Sequence, residues 1–502
     1  MTAQNLSVIL LVGAAVLLVA VAAVRISTRS GLPSLLIYLG IGVLIGEGGF
    51  GVQFDDAQLT QILGICALVV ILAEGGLTTR WSAVRSSAPM AVLISTVGVG
   101  VSVAVVAAVA HYGLGLSWRL ALLTGAVISS TDAAAVFSTL RRLRLPGRLF
   151  GTLEMESGLN DAPVVILVSL LTTGAFFDQS PWLTAATIGY ELIVGGAIGA
   201  VVGFCGVWVL RRSALPAAGL YPLAAVAFTV LAYGAAGVAH ASGFLAVYVA
   251  GVVLGNSRLP HRRATLGFAD GLAWMAQIGL FILLGLLVSP ARLVDAVVPA
   301  VVIGLALLLV ARPLSVLASV SWFRVPLREQ AFLSWAGLRG AVPIVLATIP
   351  LAAQPSEEVR DLFDVVFVLV VVFTLIQGTT LPPVARWLGV VEPGATSEVQ
   401  VESAPLEDLH ADLLQLSIPA GSRLHGVYID ELRLPVGASV TLVVRDGTSF
   451  VPAPNTRLLI GDDLLLVATS DCRDEAERRL RAIGRRGRLA RWFGEDGHER
   501  PA

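Results

Sequence analysis

Apolar runs of about twenty residues, bounded by glycine, proline or charge, recur along most of this chain. About twenty apolar residues is the length at which a helix crosses the hydrocarbon core of a bilayer. Thirteen such spans are read, near residues 6–24, 32–46, 59–77, 88–110, 119–140, 153–177, 183–210, 220–239, 243–257, 269–288, 293–320, 329–351 and 362–388. The second and ninth are short. Beyond about residue 392 the pattern changes to short alternating apolar segments separated by charge and turn residues.

Composition agrees with that pattern. The chain is 56% hydrophobic and 14% charged, with a mean hydropathy of +0.83, whereas soluble globular chains carry about 25% charged residues. The expected class is an all-α polytopic membrane protein with a small soluble appendage. Every basic residue is arginine; there is no lysine. Cys66, Cys205 and Cys472 are scattered and imply neither a disulfide framework nor a thiolate metal site. The first apolar run has no basic residue before it and no small-residue cleavage site, so it is read as a retained helix.

The formal net charge of -1 conceals an asymmetry. Loops after odd-numbered spans hold Arg25, Arg29, Arg80, Arg85, Arg141, Arg142, Arg144, Arg148, Arg211, Arg212, Arg258, Arg262, Arg263, Arg324 and Arg328. Loops after even-numbered spans hold only Arg119, Arg292 and Arg360, beside acids such as Asp55, Asp56, Glu357 and Glu358. Fifteen arginines against three place the odd-span loops and the C-terminus in the cytoplasm and the N-terminus outside, by the positive-inside rule.

Thirteen spans divide as six, one and six. In secondary transporters such halves are commonly inverted copies, with the substrate site at the midplane where interrupted helices meet. Span five would then match span twelve. Both carry interruptions: Ser129-Ser130-Thr131-Asp132 in one, Gly337-Leu338-Arg339-Gly340-Ala341-Val342-Pro343 in the other. Freed backbone groups of this kind are tolerated at membrane depth where they line a cavity.

The domain plan is residues 1–391 for the membrane unit, a polar linker at 392–405, a small cytoplasmic α+β domain at 406–484, and a basic tail at 485–502. In the small domain, strands are expected at Leu413–Pro419, Ser439–Arg445 and Arg457–Thr469, with a turn at Gly461-Asp462-Asp463. A short helix is expected at Tyr428–Leu432 and a closing helix at about Asp471–Ile483. About 80 residues approach the lower limit for a self-sufficient core, which favours dimerisation. The tail reads as a solvated end in preference to a leaflet-docking segment.

Glu156-Ser157-Gly158-Leu159-Asn160-Asp161 places two carboxylates and an amide inside an apolar run. Ionisable groups at that depth cost about 2.5–3.5 kcal/mol each on insertion scales and mark ion or proton paths. On a helix Ser157 and Asp161 share one face, Glu156 and Asn160 the next. The plain alternative is a hydrogen-bonded pair that only orients two helices. The intramembrane inventory adds Glu74, Asp132 and Arg339: four acids against one base, a cavity suited to a cation. Carboxylates sharing a desolvated site hold a proton near working pH, and Thr131 and Ser157 offer the oxygen ligands that a hard alkali cation requires. Arg312 is read as a helix-end residue, and His240 as interfacial in preference to a pH sensor.

The segments Ser-Ser-Thr131-Asp132-Ala-Ala, Glu156-Ser157-Gly158-Leu159-Asn160-Asp161, Trp335-Ala-Gly-Leu-Arg339-Gly-Ala and Leu72-Ala73-Glu74-Gly75-Gly76-Leu77 together resemble the monovalent cation:proton antiporter family, in its NhaP and sodium/proton-exchanger-like branch, over about residues 5–390. The resemblance implies that Asp161 and Asp132 hold an alkali cation with Ser157 and Thr131, and with Glu74 and Asn160 nearby. It also implies a Glu156–Arg339 ion pair joining the core helices, electroneutral exchange from the Asn160-Asp161 pair, and a homodimer. Ala133 departs from the family, where proline is common.

Residues of about 404–484 resemble the C-terminal regulatory domain of potassium-conductance regulators (TrkA-C-like). The match lies at Leu434-Pro435, Val443–Gly447, Pro452–Thr456 and Gly461-Asp462. That resemblance favours potassium over sodium and suggests a nucleotide as a regulatory ligand.

The expected function is a bacterial inner-membrane antiporter exchanging potassium, or sodium, for protons, without a cofactor and without a nucleic-acid partner. The alternative is a regulated potassium channel or uptake subunit, but a carbonyl filter of the TVGYG kind is absent from the sequence. An intramembrane enzyme is the weaker rival, since no HExxH, phosphate-cradling glycine loop or serine–histidine–aspartate set is found. A ligand sensor on an inert anchor would not need acids at midplane.

Overall fold

The computed structural model describes residues 3–30, 33–132, 145–391, 401–406, 411–419, 421–469 and 471–487. Ala133, the second half of the fifth span, most of the proposed linker and the end of the basic tail lie outside the described residues. The chain divides into two compact units, Met1–Val391 and Glu392–Ala502.

The first unit is helical. Its main helices are α1 (Ala3–Ser30), α2 (Ser34–Ile45), α3 (Ala57–Thr78), α4 (Ala88–Leu114), α5 (Trp118–Ser129), α6 (Gly147–Leu159), α7 (Asp161–Thr173), α8 (Pro181–Arg212), α9 (Leu220–Val238), α10 (Gly243–Gly255), α11 (Arg262–Leu286), α12 (Pro290–Phe323), α13 (Leu327–Trp335), α14 (Ala341–Ala353) and α15 (Glu357–Trp387). They overlie the expected spans, with the sixth and twelfth each divided in two. Among the described residues six, namely α3, α4, α8, α9, α11 and α12, are long and apolar enough to cross a membrane. Side-chain oxygens of Asp56, Ser117, Ser180, Ser242 and Ser356 accept backbone N–H groups at the starts of α3, α5, α8, α10 and α15. Each supplies a partner to one of the orphan donors at a helix start.

Small residues allow two close crossings. A Cβ on Gly42 would come within 2.9 Å of the Gly285 Cα, where α2 meets α11, and one on Gly76 within 3.0 Å of the Gly251 Cα, where α3 meets α10. Backbone-to-backbone approach of this kind is how helices associate where no hydrophobic drive exists between them. These two crossings exchange with each other when each of the first six spans is matched to the span seven further on. α4 and α12 are likewise exchanged, and each contains a π-helical turn, Ile94–Gly98 and Leu307–Ala311. The two helices pack through those turns, with the Ser319 hydroxyl donating to the Leu93 carbonyl at 3.2 Å. In α12 the cause lies in Pro313, which cannot donate to the carbonyl four residues back. In α4 the Thr96 hydroxyl donates to the Val92 carbonyl at 2.7 Å, a local competitor of the helix ladder.

Among its described residues the second unit is a five-stranded antiparallel sheet with one α-helix and a short 3-10 helix at Asp430–Leu432. Its strands are β1 (Val401–Leu406), β2 (Ala411–Ser417), β3 (Ala438–Arg445), β4 (Thr448–Phe450) and β5 (Asp463–Thr469), in the order β1-β2-β5-β3-β4, followed by α16 (Arg473–Arg486). Alternation along β2 and β5 buries Leu414 and Leu416, and Leu464, Leu466 and Ala468. Ala476, Leu480 and Ile483, at helical spacing on α16, belong to the same buried core. Asp446 and Gly447 both have positive φ, 50° and 77°, as a two-residue hairpin between β3 and β4 requires.

Three sequence expectations are corrected here. The linker read to residue 405 contains β1, which pairs with β2 from Val401 opposite Leu416 to Leu406 opposite Ala411. Thr448–Phe450, unassigned from sequence, is an edge strand. The strand expected from Arg457 begins only at Asp463, because the chain turns at Gly461 (φ 88°) and Asp462 is drawn inward.

Asp462 is fully buried and takes a forked pair from Arg445, Nε to Oδ1 at 2.7 Å and Nη2 to Oδ2 at 2.8 Å, while the Leu459 N–H donates to Oδ2 at 2.8 Å. Burial pushes this carboxyl up, but the hydrogen bonds from Arg445 and Leu459 and the guanidinium charge outweigh it and hold it below its ordinary 3.8. Its stabilising contribution is therefore full above 3.8 and is lost as pH falls through the lower folded value. Hydrogen exchange on the whole chain, corrected for intrinsic rates, should show protection of β5 and Leu459 falling as the pH drops below about 4. Asp462→Asn should lower that protection at neutral pH by on the order of 2 kcal/mol and remove the acid dependence. Unchanged acid dependence in that variant would count against the account.

Candidate functional site

The site forms where two helices stop in mid-bundle. α5 ends at Ser129, and Ser130 takes an extended conformation (φ -65°, ψ 143°). α13 ends at Trp335, and α14 begins at Ala341 after Gly340 (φ -121°, ψ -140°). The two interruptions cross, and the Asp132 N–H donates to the Leu338 carbonyl at 2.9 Å.

A helix end leaves carbonyls without partners and carries a partial negative charge. Arg339 supplies both needs of α5: its Nη1 donates to the Ser130 carbonyl at 2.7 Å and the Ser129 carbonyl at 3.3 Å. The Arg339 carbonyl in turn accepts from Thr374 Oγ1 of α15 at 2.5 Å. On the other strand of the crossing, the Asp132 carboxylate lies where a Cβ on Gly340 would sit. A carboxylate is thus set at the N-terminal, partly positive end of α14, and only glycine leaves it room.

Asp161 opens α7 and is buried; its Oδ1 accepts from Ser130 Oγ at 2.6 Å. Asn160 Nδ2 donates to Thr131 Oγ1 at 2.5 Å, and the buried Asn160 Oδ1 meets no donor among the described residues. Asp132, next in the chain to Thr131, enters the same crossing through its backbone bond to Leu338. The arrangement is an oxygen-rich cluster of two carboxylates, two hydroxyls and one unused amide oxygen, the donor set a hard monovalent cation prefers. Among the described residues no three His, Cys, Asp or Glu side chains gather in a metal-binding group.

The remaining expected residues fall differently. Ser157 donates to the Glu154 carbonyl of its own helix at 3.0 Å. Glu74 stands half-buried on α3. The Glu156–Arg339 ion pair is not formed. Glu156 is instead buried against Arg312, with Nη1 to Oε1 at 2.6 Å and Nη2 to Oε2 at 2.8 Å, a two-bonded geometry that fixes both planes. The reason is that Arg339 is committed to the end of α5, whereas Arg312 follows the π turn of α12 and enters the bundle.

Sequence reasoning thus missed three contributors: Arg312, Ser130 and Gly340. For Arg312 the signal was present, since it is a charge inside the eleventh apolar run and belonged in the intramembrane inventory.

Removing one partner of a buried pair strands the other charge, at a cost of about 3–5 kcal/mol. Glu156→Ala and Arg312→Ala should each lower the melting midpoint of the detergent-solubilised protein. The double variant should lose clearly less than the sum, and strict additivity would mean that the two side chains do not meet. Gly340→Ala, which drives a methyl group into the Asp132 carboxylate, should leave the protein membrane-inserted yet disturb transport; wild-type transport would show that Asp132 is free to move aside.

Residues 14–387 match the family model described as sodium/hydrogen exchanger, transmembrane, and residues 413–481 match the TrkA-C domain. The K(+)/H(+) antiporter NhaP of Alkalimonas amylolytica is 38% identical over 476 residues, covering 93% of this chain and 82% of that protein. The K(+)/H(+) antiporter NhaP2 of Shewanella baltica is 34% identical over 507 residues, covering 99% and 87%. The fold is similar to that of the sodium proton antiporter MjNhaP1 from Methanocaldococcus jannaschii, with a TM-score of 0.66 at 18% identity over 76% of this chain and 99% of that one. With a family model spanning most of its length and relatives above 30% identity along nearly all of it, this chain belongs to the sodium/hydrogen exchanger family and carries a C-terminal TrkA-C domain.

Proposed function

We propose that the protein exchanges a monovalent cation, potassium in preference to sodium, for protons, one for one, at Asp161 and Asp132. The observation that carries this reading is the gathering of Asp161, Ser130, Thr131 and Asn160 at the crossing of two interrupted helices, which Asp132 enters through its backbone bond to Leu338. A carboxylate that binds either a proton or a cation, but not both at once, couples the two fluxes. Asp161 is the exchanging group. Asp132, set at the start of α14, and Thr131 complete the cation's oxygen shell, with Asn160 offering its amide oxygen and Glu74 and Ser157 lying along the approach. Potassium is favoured because the relatives of 34% and 38% identity are named for potassium/proton exchange and because the chain carries a TrkA-C domain.

The membrane arrangement belongs to the same reading: thirteen crossings in the inner membrane of a bacterium, N-terminus outside, C-terminal domain in the cytoplasm. The arginine asymmetry supports it. Inverted six-helix repeats are supported by the exchangeable crossings of α2 with α11 and α3 with α10, and by the matched π turns of α4 and α12. A homodimer alternates access at this site, and a nucleotide ligand on the C-terminal domain shifts its resting and active states through differential affinity for them.

Everted vesicles supply the test, with dissipation of a proton gradient by potassium, sodium and rubidium compared in turn. Asp161→Asn should abolish exchange with the protein still in the membrane, whereas Asp132→Asn should chiefly raise the half-saturating cation concentration. Near-normal exchange by Asp161→Asn would remove that residue from the mechanism. Truncation after Glu392 should keep exchange and lose its ligand or pH dependence; an unchanged activity profile would reduce the C-terminal domain to a clamp.

A further inference from the structure

Arg312 and Arg339 are both almost wholly buried, and the Nε of each has no hydrogen-bond partner among the described residues. Arg312 directs Nη1 and Nη2 to Glu156, and Arg339 directs Nη1 to the end of α5. Each Nε–H is itself buried and meets no acceptor among the described residues. Both residues line one small cavity of about 10 Å³, together with Leu307 and Leu308 of the π turn, Gly337, Phe373 and Gln377. Leaving two charged donors unserved in a low-dielectric interior is costly, about 1–3 kcal/mol for each group and more for charged ones. A shared acceptor between them would remove both costs.

We propose that this cavity is the seat of one structural water that accepts from both Nε–H groups and joins Arg312 to Arg339. The space is on the scale of one water, about 10–15 Å³, and offers the two to four polar partners such a water needs. A halide fits the chemistry less well. Arg312 is neutralised by Glu156, and the charge of Arg339 is already partly offset by the carbonyl end of α5, which weakens the call for an anion. Gln377 already donates Nε2 to the Trp335 carbonyl at 2.9 Å, and its remaining oxygen can accept a hydrogen from water but would repel an anion. With the water in place, a continuous line of polar contacts runs from Glu156 through Arg312, the water and Arg339 to the Ser130 carbonyl, while the Ser130 hydroxyl holds Asp161. The water is thereby a positioning group for Asp161, an assignment that rests on Asp161 being the exchanging carboxylate.

Two readouts test this. High-resolution cryo-electron microscopy of the full-length protein in lipid nanodiscs should show one density peak within about 3.2 Å of both Nε atoms. Its height should be the same in chloride and in bromide buffers. A peak that strengthens in bromide would make the occupant a halide, and the absence of any peak would leave the two arginines unjoined; either overturns the proposal. The density is read without transport, so a protein that exchanged no cation could still hold the water, which keeps this test separate from that of the function.

Gly337→Ala places a Cβ 2.7 Å from Arg312 Nε and closes the space. It should abolish the peak, lower the melting midpoint and shift the pH profile of exchange, an effect that mere loss of packing would not have. Should that variant fail to fold, Gln377→Leu removes the third partner and should weaken the peak while exchange persists with a displaced pH profile. An unaltered pH profile in a variant that has lost the peak would deny the water its positioning role.

Discussion

The membrane unit depends on one crossing, where the ends of two broken helices are made to satisfy one another. Breaking a helix inside an apolar bundle exposes carbonyls at one end and N–H groups at the other, and no water of the bulk is at hand to serve them. Here the chain answers with a backbone hydrogen bond between Asp132 and Leu338, a guanidinium on the carbonyl end of α5 and a carboxylate at the amide end of α14. The same residues that repair the breaks thus also supply charge to the site. Stability and chemistry are not separable at this point, because Asp132 cannot be displaced without uncovering the helix it faces.

Around that crossing the bundle is held by features that rely little on side-chain bulk. Glycine pairs bring α2 to α11 and α3 to α10 at backbone distance, and a buried arginine–glutamate pair ties α12 to α6. The first kind of contact is short-ranged and apolar, and tolerates sliding along the helix axis. The second fixes position and orientation, at the expense of desolvating two charges.

Much of this was legible in the sequence. The apolar runs located the helices, the Ser-Ser-Thr-Asp and Gly-Leu-Arg-Gly interruptions located the breaks, and two of the four intramembrane acids, Asp132 and Asp161, lie at the crossing while Glu156 is taken up by Arg312. What could not be read was which base meets which acid. Glu156 is separated from both Arg312 and Arg339 by more than 150 residues, and the choice turns on a π turn that has no clear periodic signature. Ser130 was visible only as a helix breaker, not as the donor to Asp161, because its role follows from the direction of the chain after the break. In the C-terminal unit the alternating strands β2, β3 and β5 were plain. The edge strands β1 and β4 were not, since an edge strand shows little apolar alternation and borrows its order from its neighbour.

The π turn of α12 also bears on how freely this chain can vary in length. A π turn holds one residue more than an α turn, and each helical residue advances the face by about 100°. Loss of any single residue between Leu307 and Ala311 would let the helix relax to regular α geometry. Everything downstream would then keep its facing, because the residue lost is the one that the π turn had absorbed, and Arg312 would stay beside Glu156. Loops elsewhere can gain or lose residues at little consequence to the core, and along this turn a buried segment can lose one as well, without the rotation of about 100° that the same loss from regular helix would impose on Arg312.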